Sequence, residues 1–188
     1  MLTELLKQNE IPKTIRKAHS FALERHKGQK RKGTGEPYIV HPERVVCILA
    51  LFIDDPDLLS AAILHDVVED SYTTIQEVYD IFGYIIGDLV GELTTDVAQK
   101  KLLGKKIYMV DHFNSLSNDA FTIKLADRLQ NCIGLLDPRV PTGFVKWYWI
   151  ETKFILKNLE REKFQKTHNK LLDILDFIVD YIEIVKQI

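Results

Sequence analysis

Apolar residues recur every three or four positions along most of the chain, which is the spacing of one face of an α-helix. The first such pattern begins at Pro12 and runs to about His26, and Pro42 opens a second. The segment from Leu58 to about Asp70 is apolar almost all round, so we expect a central, buried helix there. Further helices are predicted at about 74–82, from there to about 93, and at about 101–116. Another begins at 118 or 119, a long one begins at 142 or 143, and the last covers about 169–186.

Strand signals are nearly absent from the sequence. Tyr38-Ile39-Val40 is the one candidate, and it is too short to build a sheet. The chain shows no internal repeat and no linker, so we expect residues 1–188 to form a single domain. The predicted fold class is therefore all-α, a helical bundle of about eight or more helices.

Composition and charge exclude several classes of protein. The 188 residues carry 25 Lys+Arg against 27 Asp+Glu, a net charge of −2 that argues against a nucleic-acid partner. The two cysteines, Cys47 and Cys132, form no Cys-x-x-Cys pair. The charged start, Met1–Lys7, has no apolar signal-peptide core, and no apolar run is long enough to span a membrane. We therefore expect a cytoplasmic protein without a membrane partner.

The densest chemistry lies at the end of the apolar third helix. His65, Asp66, Glu69 and Asp70 place four ionisable groups within six residues, directly behind a buried run. On a continuous helix, His65 and Glu69 would lie one turn apart, as would Asp66 and Asp70. Burying such groups costs several kcal/mol unless another charge compensates. A divalent metal ion would do so, although capping and salt bridges at a helix end are the ordinary alternative.

Two other polar residues in apolar surroundings could complete a metal site. His41 precedes Pro42 at the start of the second helix, and Asp127 interrupts an apolar helical pattern. With His65 and Asp66, they would form a mixed nitrogen and oxygen set that suits Mn, Fe, Zn, Ni or Co. Each residue also has an ordinary explanation, such as an ion pair between Asp127 and its neighbour Arg128.

Three segments in order resemble the HD phosphohydrolase superfamily, and within it the RelA/SpoT-type (p)ppGpp hydrolase domain. They are His26–Gly33 with Gly35–Pro42, then Ala61–Asp70, then Ile123–Asn131. The resemblance is close over about residues 15–135 and looser over the C-terminal helices, about 142–188. The length resembles that of the stand-alone small alarmone hydrolases, including the metazoan Mesh-type enzymes, so an HD hydrolase domain is the expected fold.

The resemblance implies a role for nine positions. The metal ligands would be His41, His65, Asp66 and Asp127, with Mn²⁺ as the usual ion and other divalent transition metals as alternatives. The catalytic pair would be Glu69 and Asp70. The substrate contacts would be Arg31, Lys32 and Asn131. The implied reaction removes pyrophosphate from the 3′ position of ppGpp or pppGpp, leaving GDP or GTP. His26, in the first segment, is expected to shape the loop or to support the ligands.

The sequence departs from the family pattern directly after the last ligand. Gln130 occupies a position where the family commonly has histidine, and Cys132-Ile133-Gly134 occupies that of Met-Arg-Thr. The second change removes a cation and a hydroxyl near the substrate, unless Arg128 or Arg139 compensates. An HD phosphohydrolase for another nucleotide is therefore the alternative, acting on the NADPH 2′-phosphate, a dNTP or a nucleoside monophosphate. A non-catalytic nucleotide-binding module is a third hypothesis, and a homo-oligomer is possible.

Overall fold

The computed structural model describes residues 11–161 and 166–188. Within these ranges it contains eleven α-helices and no strand, and this confirms the all-α prediction. In chain order they are α1 (Lys13–Arg25), α2 (Val40–Leu49), α3 (Pro56–Leu64), α4 (Val67–Asp70), α5 (Ile75–Phe82), α6 (Tyr84–Leu93), α7 (Val97–Leu103), α8 (Lys105–Ser115), α9 (Asn118–Gly134), α10 (Thr142–Lys157) and α11 (Lys166–Lys186). None of these helices is long and apolar enough to cross a membrane.

The helices group into two compact units. The described part of the first comprises residues 11–31 and 35–94, and the second comprises residues 32–34 and 95–188. Helices α1–α6 belong to the first unit and α7–α11 to the second. The expectation of one domain over the whole chain stays a prediction. The segment Met1–Lys7, used above to argue against a signal peptide, lies outside the described residues.

In the first unit, α3 packs against α1, α2 and α6. Every residue from Leu58 to Leu64 is buried, as the all-round apolar pattern predicts. The helix begins where the Asp55 carboxylate accepts hydrogen bonds from the backbone N–H groups of Asp57 and Leu58, at 2.8 and 3.1 Å. Such a cap satisfies backbone donors that have no partner within the helix. A well-capped, buried helix thus carries the first of the chemically interesting residues.

This helix does not run on to Asp70, and here the sequence prediction is wrong. It ends at Leu64, and α4 starts anew at Val67 after Asp66, whose backbone is only partly helical (φ −103°, ψ −3°). At this junction the side chain of His65 bonds back to the preceding turn. Its Nδ1 lies 2.8 Å from the Ala62 carbonyl.

In the second unit, α9 packs against α10 and α11 and is buried over most of its length. Its N-cap is Ser117, which accepts from the Ala120 N–H, and not Asn118 or Asp119 as the sequence suggests. The helix predicted at 101–116 is two helices, because Gly104 adopts φ +79°, a left-handed conformation that interrupts a right-handed helix.

The termini of the remaining elements differ little from expectation. Helix α10 begins at Thr142, one of the two predicted starts, and α11 begins at Lys166, three residues before the predicted one. The proposed strand at Tyr38 does not form, since Val40 already opens α2. The only bridge outside the helices of the described residues joins Lys30 and Pro37.

Candidate metal and active site

Two histidines and an aspartate of the first unit converge at the ends of three helices. His41 is the second residue of α2, His65 follows the last residue of α3, and Asp66 precedes α4. The two imidazoles are 2% and 1% exposed, while the carboxylate keeps a path to solvent. Because the break between α3 and α4 falls at this point, both side chains after Leu64 can turn toward His41.

One oxygen of Asp66 faces both histidines. Its Oδ2 lies 3.0 Å from His65 Nε2 and 3.6 Å from His41 Nε2. The His65 Nδ1 proton is donated to the Ala62 carbonyl, because a carbonyl can only accept. In neutral His65, therefore, Nε2 carries a lone pair that faces a carboxylate oxygen, and a cation between the two atoms would stabilise this arrangement. A proton on one histidine would account for one of these contacts. Because a second imidazole faces the same oxygen, a metal ion that binds all three groups is favoured.

The distances and donor types fit that interpretation. Two ligands that each lie about 2.0–2.2 Å from one ion are themselves separated by about 3–3.5 Å. Imidazole nitrogens held by backbone carbonyls are the usual form of histidine ligands. His41, His65 and Asp66 therefore form a donor set suited to a divalent transition metal.

Tyr38 belongs to this group, although the sequence analysis did not assign it a role. Its hydroxyl donates to Asp66 Oδ2 at 2.6 Å, and its ring packs edge-on against His41 at 5.9 Å. Burial, together with the charges of Asp66 and Asp70, raises the pKa of Tyr38 above its ordinary value, so the hydroxyl remains a donor. The spacing of three residues between Tyr38 and His41 is the signal that could have identified it.

Glu69 and Asp70 lie on the exposed face of α4, beside an open cleft of about 550 Å³. Arg25 and Lys27 also line this cleft. Arg25 is additionally paired with Glu77 at 2.5 Å. Two carboxylates and two cations thus share one water-accessible surface, which suits proton transfer near an anionic ligand. Arg25 was not among the predicted site residues.

The loop after α1 is fastened to this acidic helix. His26 Nδ1 donates to Gln29 Oε1 at 2.8 Å, and Gln29 Nε2 donates to the backbone carbonyl of Asp70 at 2.5 Å. Burial lowers the pKa of His26, so its ring is neutral at physiological pH. This arrangement agrees with the expectation that His26 shapes the loop.

The two basic residues predicted to face a substrate differ in their surroundings. Arg31 is half-buried, with its guanidinium 5.9 Å from the centre of the Tyr38 ring in the first unit. Lys32 is exposed in the second unit. The adjacent Gly33 has φ +93°, and a Cβ there would lie 3.2 Å from the Val140 side chain. The backbone that carries Lys32 therefore requires glycine at the next position.

Asp127 lies on α9 in the second unit and is 9% exposed. Asn131, one turn further on, donates to its Oδ1 at 2.7 Å, and Lys124 Nζ lies 3.5 Å from its Oδ2. The carboxylate is thereby oriented through both oxygens. The amide of Asn131, predicted to contact substrate, is directed at Asp127 in this structure.

Arg128 and Arg139 could replace the cation that the sequence lacks after Asp127, but both are held by other groups of the protein. Arg128 is buried and pairs with Glu151 at 3.1 Å. Arg139 donates to both carboxylate oxygens of Asp137 and to the backbone carbonyl of Thr34, at 2.6–3.0 Å. Arg128 is thus part of the core. Arg139 fastens the loop that carries Lys32.

A helical protein with a buried histidine followed by an aspartate at a helix junction has the architecture of the HD class. The HD domain family matches residues 18–137, and the chain belongs to that family. This match covers α1 through α9 nearly completely, including every residue of the predicted site.

Two relatives illustrate the likeness. The chain is 36% identical over 146 residues to the bifunctional (p)ppGpp synthase/hydrolase SpoT of Escherichia coli, an alignment that covers 73% of this chain but 20% of that protein. It is 42% identical over 120 residues to the guanosine-3′,5′-bis(diphosphate) 3′-pyrophosphohydrolase MESH1 of Xenopus tropicalis, covering 62% of this chain and 66% of that one. The chain thus spans less than two thirds of either relative.

A solved structure agrees over nearly the whole chain. It is a metazoan ortholog of SpoT described as hydrolysing ppGpp, and it superposes with a TM-score of 0.79 at 29% identity. The superposition covers 93% of this chain and 98% of that one. The expected likeness to stand-alone, Mesh-type hydrolases is therefore confirmed.

Proposed function

We propose that the protein hydrolyses guanosine 3′,5′-bis(diphosphate). Water would be consumed, the bond between the ribose 3′ oxygen and the pyrophosphoryl group would be cleaved, and ppGpp or pppGpp would yield GDP or GTP plus pyrophosphate. The observation that carries the proposal is the convergence of His41 and His65 on Asp66 Oδ2. Relatives of the same family named for this reaction support the choice of substrate.

The metal centre of the proposal consists of His41, His65, Asp66 and Asp127, with Mn²⁺ as the bound ion. Asp127, the fourth residue of the proposal, lies on α9, where Asn131 and Lys124 hold its carboxylate. When bound, a divalent ion supplies Lewis acidity toward a phosphoryl oxygen and lowers the pKa of a water molecule. All other steps are assigned to side chains of the protein.

Glu69 and Asp70 would handle protons. Both are exposed on α4 beside the cleft described above, so each is accessible to water and to a ligand. Glu69 would accept a proton from the attacking water, and Asp70 would hold Glu69 or protonate the leaving oxygen. Gln29 donates to the backbone carbonyl of Asp70 and thereby joins the loop after α1 to the end of α4.

The substrate would be held by cations and by one amide. Arg31 can contact a phosphate through two parallel hydrogen bonds, and Lys32 can act as a point charge. Asn131 would exchange its contact with Asp127 for one to the nucleotide, or support Asp127 while the substrate is bound. The proposal includes a nucleotide substrate and a cytoplasmic location. It also allows a homo-oligomer.

The test is a product assay on purified protein loaded with Mn²⁺. The substrates are ppGpp, pppGpp, NADPH, dGTP and GMP, and both pyrophosphate and phosphate release are measured with and without a chelator. We expect pyrophosphate from ppGpp and pppGpp, abolished by the chelator. Binding of ppGpp without turnover would instead indicate a non-catalytic module.

The alternative, hydrolysis of another nucleotide, has an observation in its favour. Gln130 and Cys132, which replace family residues, are both buried, and Arg128 is committed to Glu151. The side chains that follow Asp127 therefore do not restore the missing cation. Phosphate release from NADPH or GMP, with ppGpp left intact, would establish this alternative.

A further inference from the structure

The Tyr38 hydroxyl is held in place by a short hydrogen bond to Asp66. It donates to Asp66 Oδ2 at 2.6 Å, the same oxygen that faces the two histidines. A short bond of this kind to an ionised acceptor is stronger than a bond between neutral groups. Tyr38 therefore restricts the rotation of the carboxylate about its Cβ–Cγ bond.

The ring of Tyr38 is itself held on two sides. His26 lies 4.8 Å from it, centre to centre, and His41 lies 5.9 Å from it on an approximately perpendicular plane. His26 cannot move freely, because Gln29 joins it to the backbone of Asp70. A hydroxyl on a fixed ring can determine the orientation of its acceptor, whereas a hydroxyl on a mobile ring would follow it.

We propose that Tyr38 is a positioning residue for the metal ligand Asp66, an inference that rests on the proposed function. The hydroxyl bonds to the same Oδ2 that faces His41 and His65, the oxygen that would bind the ion. Groups that hydrogen-bond to metal ligands in this way typically change metal affinity or activity by about 10- to 100-fold when removed. Tyr38 acts through Asp66 and needs no contact with substrate.

The experiment compares Tyr38→Phe with a matched control. Tyr79→Phe removes a tyrosine–aspartate hydrogen bond of nearly the same length, 2.7 Å to Asp88, from the surface of the same unit. Mn²⁺ affinity is measured by titration calorimetry on metal-stripped protein. The shift of the thermal midpoint on adding Mn²⁺ is measured alongside, because this shift reports metal binding even if the variant is less stable.

We expect Tyr38→Phe to weaken Mn²⁺ binding by about 10- to 100-fold and Tyr79→Phe to leave it unchanged. Turnover of Tyr38→Phe should recover at saturating Mn²⁺, which a substrate-binding or general structural role would not produce. In an Asp66→Ala background, Tyr38→Phe should have no further effect on Mn²⁺ affinity.

Wild-type Mn²⁺ affinity in Tyr38→Phe would overturn the inference and leave the proposed function intact. An equal loss with and without Asp66 would also overturn it, because Tyr38 would then act through another group. If the wild-type protein itself failed to bind Mn²⁺, the proposed function would be wrong, and this inference with it.

Discussion

The imidazole of His65 donates its Nδ1 proton to the backbone carbonyl of Ala62 at 2.8 Å. This bond fixes the tautomer of His65 at the point where α3 ends. It leaves Nε2 available as a ligand. One hydrogen bond therefore links the end of the helix to the orientation of a proposed metal ligand.

Replacing His65 by alanine should remove metal and activity together, because an ion that loses one imidazole nitrogen keeps an incomplete donor set. The matched control is His19→Ala. His19 is equally buried in the first unit, and it is paired with Glu43 at 2.7 Å outside the proposed site. Metal content by mass spectrometry and turnover are measured on both. Normal Mn²⁺ stoichiometry in His65→Ala would exclude His65 as a ligand.

Glu69→Gln should keep the metal but lower turnover by about 10²-fold or more, the usual effect of removing an acid–base group. Glutamine has the same shape as glutamate but cannot accept the proton. Glu24→Gln, on the exposed side of α1 with a loose partner in Lys27 at 3.6 Å, is the control and should turn over normally. Undiminished turnover in Glu69→Gln, with Mn²⁺ bound, would remove Glu69 from the mechanism.

The sequence alone singles out the candidate site for a physical reason. Four ionisable groups behind the apolar run Leu58–Leu64 stand out, because burying charge is costly and therefore rare. The same apolar run predicts a central helix, which α3 is. The assignment of His41, His65, Asp66 and Asp127 as ligands depends on the family resemblance and remains a proposal.

The breaks in the helices were less accessible to sequence analysis. Helix α3 ends where His65 bonds back to the Ala62 carbonyl, and helix periodicity carries no information on such a bond. The break at Gly104 was missed because an isolated glycine is tolerated within helices, and only its positive φ reveals the interruption. The spacing of three residues associates Tyr38 with His41, but its hydrogen-bond partner, Asp66, lies 28 residues away and could not be predicted from the spacing.

Two glycines of α6 should respond in opposite ways to alanine. A Cβ at Gly87 would lie 2.3 Å from the Tyr79 ring, a distance that forces movement, whereas at Gly91 it would meet Ile75 at an ordinary 3.7 Å. We expect Gly87→Ala to lower the free energy of unfolding by about 1–3 kcal/mol, as overpacking does. Gly91→Ala should raise it by up to about 1 kcal/mol through helix propensity.

Urea unfolding of both glycine variants and of the wild type measures this difference. The two positions lie four residues apart on one helix, so changes in the unfolded chain largely cancel. Equal effects of the two substitutions would show that the Tyr79 ring moves aside freely and that packing of α5 against α6 does not restrict Gly87.

The stability of the second unit should depend on pH through His168. Burial lowers the pKa of this histidine, and its Nε2 lies 2.7 Å from Thr122 Oγ1 and 3.0 Å from the Asn118 carbonyl. As pH falls through about 6.5, the unfolded chain binds a proton before the folded protein does. The free energy of unfolding is therefore highest above this pH and falls below it, by at most about 1.4 kcal/mol per pH unit for one group.

His168→Gln isolates this contribution, because glutamine can still donate to Thr122 but does not titrate. Urea unfolding of metal-free wild type and variant is measured between pH 8 and 5. We expect the difference in the free energy of unfolding, wild type minus variant, to decrease as the pH is lowered. His26, whose pKa is also lowered by burial, is present in both proteins, so its contribution cancels. A difference that stays constant or grows toward pH 5 would show that His168 is not held neutral by its burial against α9.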